Sequence, residues 1–213
     1  MAPLTLVMAT RNLGKVREMA ELLGDVGVRL LSLADFPEIP DIPEAGATFA
    51  ENALAKAKTV ARLTGLPALA DDSGLEVEAL GGRPGVFSAR YAQDRTAGRP
   101  PTDRDNWEKL LDELREVPEE KRGARFICEI ALSFPEGRLI TARGELAGVI
   151  ALKPRGKRGF GYDPVFFLPA YEATVAELDL ATKNRISHRG EALRKLKEIL
   201  AGGREEFCAT SPE

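Results

Sequence analysis

The chain has 213 residues, 44% of them hydrophobic and 30% charged, with 20 Gly, 14 Pro and 2 Cys. This balance excludes collagen-like, disulfide-rich and wholly disordered classes, and the length favours one domain with a sizeable core. Thirty cations against 33 acids give a net charge of −3, which argues against nucleic-acid binding through bulk charge, so any anion site must be a local patch. In chain order, LTLVMA (Leu4 to Ala9) is an apolar run of strand length. TRN follows, and Gly14-Lys15 opens a helix with Val16, Met19, Leu22 and Leu23 at helical spacing, stopped by Gly24. A strand at Val28 to Leu33 leads into FPEIPDIPEAG, whose prolines at 37, 40 and 43 forbid a regular helix.

Thr48-Phe49-Ala50-Glu51 has the spacing of a capping box, and the helix it opens is stopped by Gly65. LPALA (66–70) predicts a buried strand ending in Asp71-Asp72-Ser73-Gly74, and LEVEAL (75–80) predicts another before GGRPG turns the chain. A helix is expected from Thr102 to Val117, with Trp107, Leu110, Leu111 and Leu114 on its core face. RFICEIALSF (125–134) and RLITARGELAGVI (138–150), joined by Pro135-Glu136-Gly137, carry the strongest hairpin signal. VFFL (165–168) predicts a strand and EALRKLKEIL (191–200) an amphipathic closing helix. The order β-α-β-α-β-β-α-β-β-β-α predicts an α/β fold with a mixed sheet and a long central hairpin. Residues 1–201 are expected to form one domain and 202–213 a mobile tail.

No apolar run approaches the ~20 residues that span a bilayer. The opening MAPLTLVMATRN also lacks the basic-then-apolar layout of a signal peptide. Cys128 and Cys208 stand in no metal-ligand spacing, which predicts two free thiols and a cytoplasmic protein.

Five short segments carry the chemistry. Thr10-Arg11-Asn12-Leu13-Gly14-Lys15 joins the first strand to the first helix, where unpaired amides and the helix dipole favour phosphate. It lacks the spacing of a Walker A loop, and a tight turn with a surface lysine fits it equally well. Glu44 in the proline-rich loop reads, taken alone, as a solvated charge. Asp71-Asp72 at a strand end is either a polar exit with an Asx turn or a ligand-facing pair, one residue in the cleft and one structural. Two acids near triphosphate oxygens would suit magnesium.

Lys153-Pro154-Arg155-Gly156-Lys157-Arg158 holds four cations in six residues and reads as a solvated basic loop. It runs on into Gly159-Phe160-Gly161-Tyr162-Asp163-Pro164, a rigid loop that could offer a ring for base stacking, although Tyr162 could equally be a core anchor. His188, the one histidine of the chain, excludes multi-histidine zinc sites. With Lys183, Ser187 and Arg189 it forms a donor-rich loop suited to the keto oxygens of a 6-oxopurine.

Together ATRNLGK (9–15), EAGATFAENA (44–53), ADDSGLEVEALGGRPGVFSARY (70–91), GFGYDPVFF (159–167) and KNRISHRG (183–190) resemble the noncanonical purine NTP pyrophosphatases. These are the inosine/xanthosine triphosphate pyrophosphatases that sanitise the nucleotide pool. The resemblance runs from about residue 5 to about residue 200. It implies a homodimeric α/β fold with two lobes flanking a nucleotide cleft. It also implies magnesium-dependent hydrolysis of ITP, dITP and XTP to the monophosphate and pyrophosphate.

Residue by residue, it implies that Thr10, Arg11, Asn12, Leu13, Gly14 and Lys15 bind the triphosphate. Glu44 and Asp72 would hold the metal, Asp72 would accept the proton, and Ser73 would touch substrate. Phe160, Gly161, Tyr162, Asp163, Lys183, His188 and Arg189 would line base and ribose, and Lys15 would stabilise the leaving pyrophosphate. Purine nucleoside triphosphates are the expected partners, with no nucleic acid and no membrane. A related pyrophosphohydrolase acting on other modified nucleotides is the alternative enzyme, and a nucleotide-binding regulator without turnover the alternative of another class.

Overall fold

Local chemistry sets the helix starts. Asn12 caps α1 (Leu13–Leu23), its side chain accepting from the amides of Gly14 and Lys15. Capping boxes built by Thr48 with Glu51 and by Thr102 with Asp105 open α2 (Phe49–Thr64) and α3 (Asp103–Glu113). Gly65, with φ of 66°, closes α2 in the left-handed conformation that suits glycine. The fold is taken from a computed structural model, which describes residues 4–24 and 28–202. The expected tail, with Cys208, lies outside them except for Gly202.

The strands are β1 (Leu4–Met8), β2 (Val28–Ser32), β3 (Ala68–Val77), β4 (Gly123–Ser133), β5 (Leu139–Ile150), β6 (Phe166–Leu168) and β7 (Ala173–Thr174). Among the described residues they form one sheet in the order β2-β1-β3-β4-β5-β6-β7. β1 runs parallel to β2 and β3, and the pairs from β3 onward are antiparallel. This is the expected mixed sheet with its long β4–β5 hairpin.

Three details differ from the sequence expectation. The two strands predicted at 66–70 and 75–80 are one, because β4 pairs with β3 without a break from Ala68↔Ser133 to Val77↔Ala124. Asp71 to Gly74 therefore lie mid-strand, not at a strand end. Their weak strand propensity is overridden by the ladder and by partners for both acids. The third helix stops at Glu113, short of Val117. Finally, the expected loop from Lys183 to Gly190 is two helices, α4 (Leu180–Ile186) and α5 (His188–Gly202), meeting at Ser187.

The sheet's alternation sorts the core into three clusters. On one face Leu69, Cys128, Ile130 and Leu132 pack with Met19 of α1 and Leu193 and Leu196 of α5. Farther along that face Leu75, Phe126 and Phe166 pack with Leu110 and Leu114. On the opposite face Ala68, Ala70 and Ala131 receive Ala53, Ala57 and Val60 of α2.

β1 pairs with β3 through Val7↔Ala68 and Met8↔Leu69, and then turns away into α1. Beyond Leu69, side chains serve the edge of β3. The Asp71 carbonyl accepts from Lys56, and the Leu75 amide donates to the Ser88 hydroxyl. A cleft opens along this edge.

Gly144 of β5 lets α5 settle on the sheet: a Cβ there would overlap the His188 carbonyl and stand 2.5 Å from the Ala192 amide. Gly144→Ala should destabilise the fold by about 1–3 kcal/mol through overpacking. Because the displaced turn carries His188 and Arg189, amides in the first turns of α5 should exchange faster even where the protein stays folded. Urea unfolding and hydrogen exchange on the same variant check both outcomes.

Candidate active site

The cleft encloses about 790 Å³ of space open to solvent. Its lining includes Asn12, Lys15, Glu44, Asp72, Ser73, Phe160, Gly161, Tyr162, Asp163, His188 and Arg189. Eleven of the expected site residues thus meet there, Glu44 among them, brought from both ends of the chain. A second cavity of about 700 Å³ adjoins it, lined by Thr10, Arg11 and Lys56 and sharing Asn12, Lys15 and Glu44 with the first. Lys15 and Glu44 stand where the two spaces meet.

One wall is backed by a chain of ions of alternating sign, Lys15 half-buried and the others buried. Lys15 pairs with Asp71 at 2.9 Å, and Asp71 also meets Arg189 at 3.2 Å. Arg189 pairs with Glu18, Glu18 with Lys183, and Lys183 with Asp163, each at 2.7 Å. The Asp71 side chain has no exposure at all. Burial alone would raise its carboxyl, but Lys15, Arg189 and Lys56 outweigh it and hold the group far below the usual carboxylate range. Burial raises the Asp163 carboxyl against the opposing pull of Lys183.

The other wall centres on Lys56. Its ammonium donates to Glu44 at 2.8 Å, to the Asp71 carbonyl at 2.9 Å and to Asp72 at 3.1 Å, which uses all three protons. Asp72 also accepts from Asn52 at 3.0 Å. Burial, with the charge of Glu44 nearby, raises the Asp72 carboxyl above its ordinary value despite Lys56. Glu44 is less buried; Lys56 overcomes its desolvation and lowers it. Strand alternation thus separates the acids as expected: Asp72 faces the cleft with Glu44, and Asp71 holds the lysine and arginine of the opposite wall.

Phe160 lies against the start of α1, where a Cβ on Gly14 would come within 3.3 Å of its ring. Lys183 Nζ stands 4.7 Å and Arg189 Cζ 5.1 Å from the centre of that ring. His188 stacks on Phe126 with ring centres 4.9 Å apart, and its buried Nδ1 has no partner. Burial, then Arg189 and Lys183, keep the imidazole neutral well below its ordinary value.

Several expected residues serve the scaffold as well. Tyr162 is a core anchor whose hydroxyl donates to the Ser88 carbonyl at 2.8 Å. Arg11 donates to the carbonyls of Leu33 and Ile39 and to Asp41, strapping the proline-rich loop. The Thr10 hydroxyl accepts from the Asn12 amide, and Ser73 donates to Asp71. Two first-turn amides of α1 are taken by Asn12, so this helix start offers fewer free donors than its position alone promises. The side chain of Leu13 lies outside the described residues.

Lys56, Asn52 and Glu18 went unread in the sequence. Each is a polar residue on a core-facing helix stripe, Asn52 and Lys56 one turn apart beside Ala53 and Ala57, and that placement was the available signal.

Buried cations facing paired carboxylates across a parallel-strand crevice, with an aromatic ring at one end, define an α/β protein built to hold a polyanionic ligand that carries a ring. The Ham1 family profile matches residues 6–199. A dITP/XTP pyrophosphatase of Geobacter sulfurreducens is 56% identical over 92% of this chain and 96% of its own. One of Bacillus cereus is 49% identical over 90% and 92%. A solved HAM1 protein from Coxiella burnetii superposes with a TM-score of 0.83 at 46% identity, covering 93% of this chain and 99% of its own. A Mycobacterium abscessus nucleoside-triphosphatase / dITP/XTP pyrophosphatase gives 0.73 at 44% identity, covering 91% and 98%. The chain belongs to the Ham1 family.

The neutral buried His188 links folding to acidity. Its folded-state pKa is lowered, so the unfolded chain binds the proton first, and stability falls as pH drops through about 6.5. Asp72 and Asp163, raised by burial, act in the opposite sense, so a subtraction is needed. With one histidine in the chain, His188→Phe should flatten the slope of unfolding free energy between about pH 5 and 6.5, read from urea melts. Asp71→Asn leaves Lys15 and Arg189 without their shared acid and should cost about 3–5 kcal/mol in the same melts at neutral pH.

Proposed function

We propose that the chain is a nucleoside-triphosphate pyrophosphohydrolase acting on ITP, dITP and XTP, cleaving between the α- and β-phosphates to release the monophosphate and pyrophosphate. The observation that carries this reading is the placement of Lys15 and Glu44 at the junction of two cavities, with Phe160 and His188 in one and Thr10 and Arg11 in the other. A nucleoside in the first space and the outer phosphates in the second would set the α–β bridge beside Lys15, Glu44 and Asp72. The dITP/XTP pyrophosphatases at about half identity or better support the same assignment.

The donor set fits magnesium. Glu44 and Asp72 converge on one ammonium and offer hard oxygens to the cleft. Among the described residues no group of three or more metal-ligating side chains stands together, so most of the cation's shell would come from substrate oxygens and water. Bound there, magnesium would neutralise phosphate charge and lower the pKa of a water.

The chain's own residues do the rest. Asp72, raised by burial and Glu44, is suited to take a proton from the attacking water, while Lys56 and Asn52 hold its oxygens in place. Lys15, anchored by Asp71, stabilises charge on the departing pyrophosphate. Preference for 6-oxopurines would come from the donors of Arg189 and Lys183 beside Phe160: a keto oxygen accepts from them, whereas an adenine amine meets them donor to donor.

The proposal includes a homodimer, to which the exposed Phe87 offers an apolar contact, and a cytoplasmic setting, which suits the buried thiol of Cys128. The two apolar clusters flanking the cleft on one sheet face would be the cores of its two lobes.

ITP should give IMP and pyrophosphate, with free phosphate appearing only after inorganic pyrophosphatase is added; immediate phosphate together with IDP would refute the cleavage site. Asp72→Asn should lose about 10²-fold or more in kcat. It should lower the melting temperature far less than Asp71→Asn does, because asparagine can still accept from Lys56 and the buried ammonium keeps Glu44 as its charged partner. Isothermal titration with magnesium should show weaker binding by the same variant.

A further inference from the structure

The third helix lies outside every segment that carries the family resemblance, yet its first residue helps wall the cleft. Asp103 lines it together with Phe160 and Gly161. Its Oδ2 accepts the Gly161 backbone N–H at 2.7 Å, joining elements 58 residues apart in sequence.

That bond falls where the loop most needs an anchor. Gly159 and Gly161 have φ of 76° and 62°, so Phe160 is carried between two left-handed residues. One restraint is internal to the loop, from the Phe160 amide to Asp163 at 3.0 Å. Another, from the Tyr162 hydroxyl to the Ser88 carbonyl, fixes the buried side of the loop. The Asp103 bond ties the tip that faces the cleft to a separate helix. Asp103 is itself well placed to hold it, one residue inside a start closed by the Thr102–Asp105 capping box, with Arg99 gripping Asp105 through two bonds of 2.8 Å.

We infer that Asp103 is a positioning residue for base recognition: through Gly161 it fixes the 159–163 loop so that Phe160 presents its ring to the purine. The inference rests on the proposed nucleotide function. The reacting phosphates would be held by other side chains, those of Lys15, Glu44 and Asp72, none of which bonds to Asp103 or to Gly161. Loss of the latch should therefore weaken binding and leave the chemical step largely alone.

Asp103→Ala and Asp103→Asn test this with two readouts: ITP kinetics, and hydrogen exchange at the Gly161 amide without substrate. In the alanine variant KM for ITP should rise about five- to tenfold with kcat within about twofold. Its Gly161 amide should exchange about tenfold faster or more while central β4 amides stay protected. Asparagine keeps an acceptor oxygen and should restore both readouts. Unchanged Gly161 exchange in Asp103→Ala, faster exchange with an unchanged KM, or an asparagine variant as impaired as alanine would each overturn the role. If the wild-type protein fails to hydrolyse ITP, the nucleotide reading falls and base recognition with it. The exchange arm, which needs no nucleotide, fails only if the latch is absent.

Discussion

The carboxylate of Asp71 sits out of reach of water at the centre of β3, between a lysine from the start of α1 and an arginine from the first turn of α5. Without it Lys15 would lose its ion pair and Arg189 would be left with Glu18 alone, and an unpaired charge in such surroundings costs several kcal/mol. The pairing therefore fixes how the first and last helices meet the sheet. Glu18 and Lys183 carry the alternation on to Asp163, whose side chain accepts the Phe160 amide. One continuous line of charge thus joins Lys15 to the loop that carries the aromatic ring.

Such an arrangement is not the cheapest way to fill a core. Apolar side chains of similar volume often give equal or greater stability than buried ion pairs. What the ions supply is polar geometry fixed before a ligand arrives, so that Lys15 and Arg189 need not reorganise to meet a polyanion. The same holds across the cleft, where a fully bonded Lys56 keeps two acids together that would otherwise repel.

The helix starts were legible in the sequence because capping is local: Thr48 with Glu51 forms the same bonds wherever the chain goes next. The β4–β5 hairpin was legible for a similar reason. Asp71 to Gly74 misled because their propensities describe a turn, while the continuous ladder to β4 and the cations on either side hold them extended. The Lys183 to Gly190 segment misled likewise, a helix–helix junction having the polar composition of a loop. Family motifs supplied the ligand-facing residues, yet they gave Asn52, which lies inside one of them, no role and gave no hint of Glu18, Lys56 or Asp103. Those act through partners far away in sequence, and only the folded chain brings them together.

The early departure of β1 from the sheet leaves β3 with a bare edge in the middle of the molecule. Exposed strand edges invite pairing with other chains and are a common route to aggregation. Here the edge lies at the floor of a cleft, with Lys56 and Ser88 bonded to its backbone and Phe160 at the opposite wall. An extended peptide would have to displace those side chains before it could add a strand. A small, flat, charged molecule meets no such barrier. The gap that admits a ligand is thereby closed to polypeptide, and a hazard of sheet architecture becomes a filter on what the protein can bind.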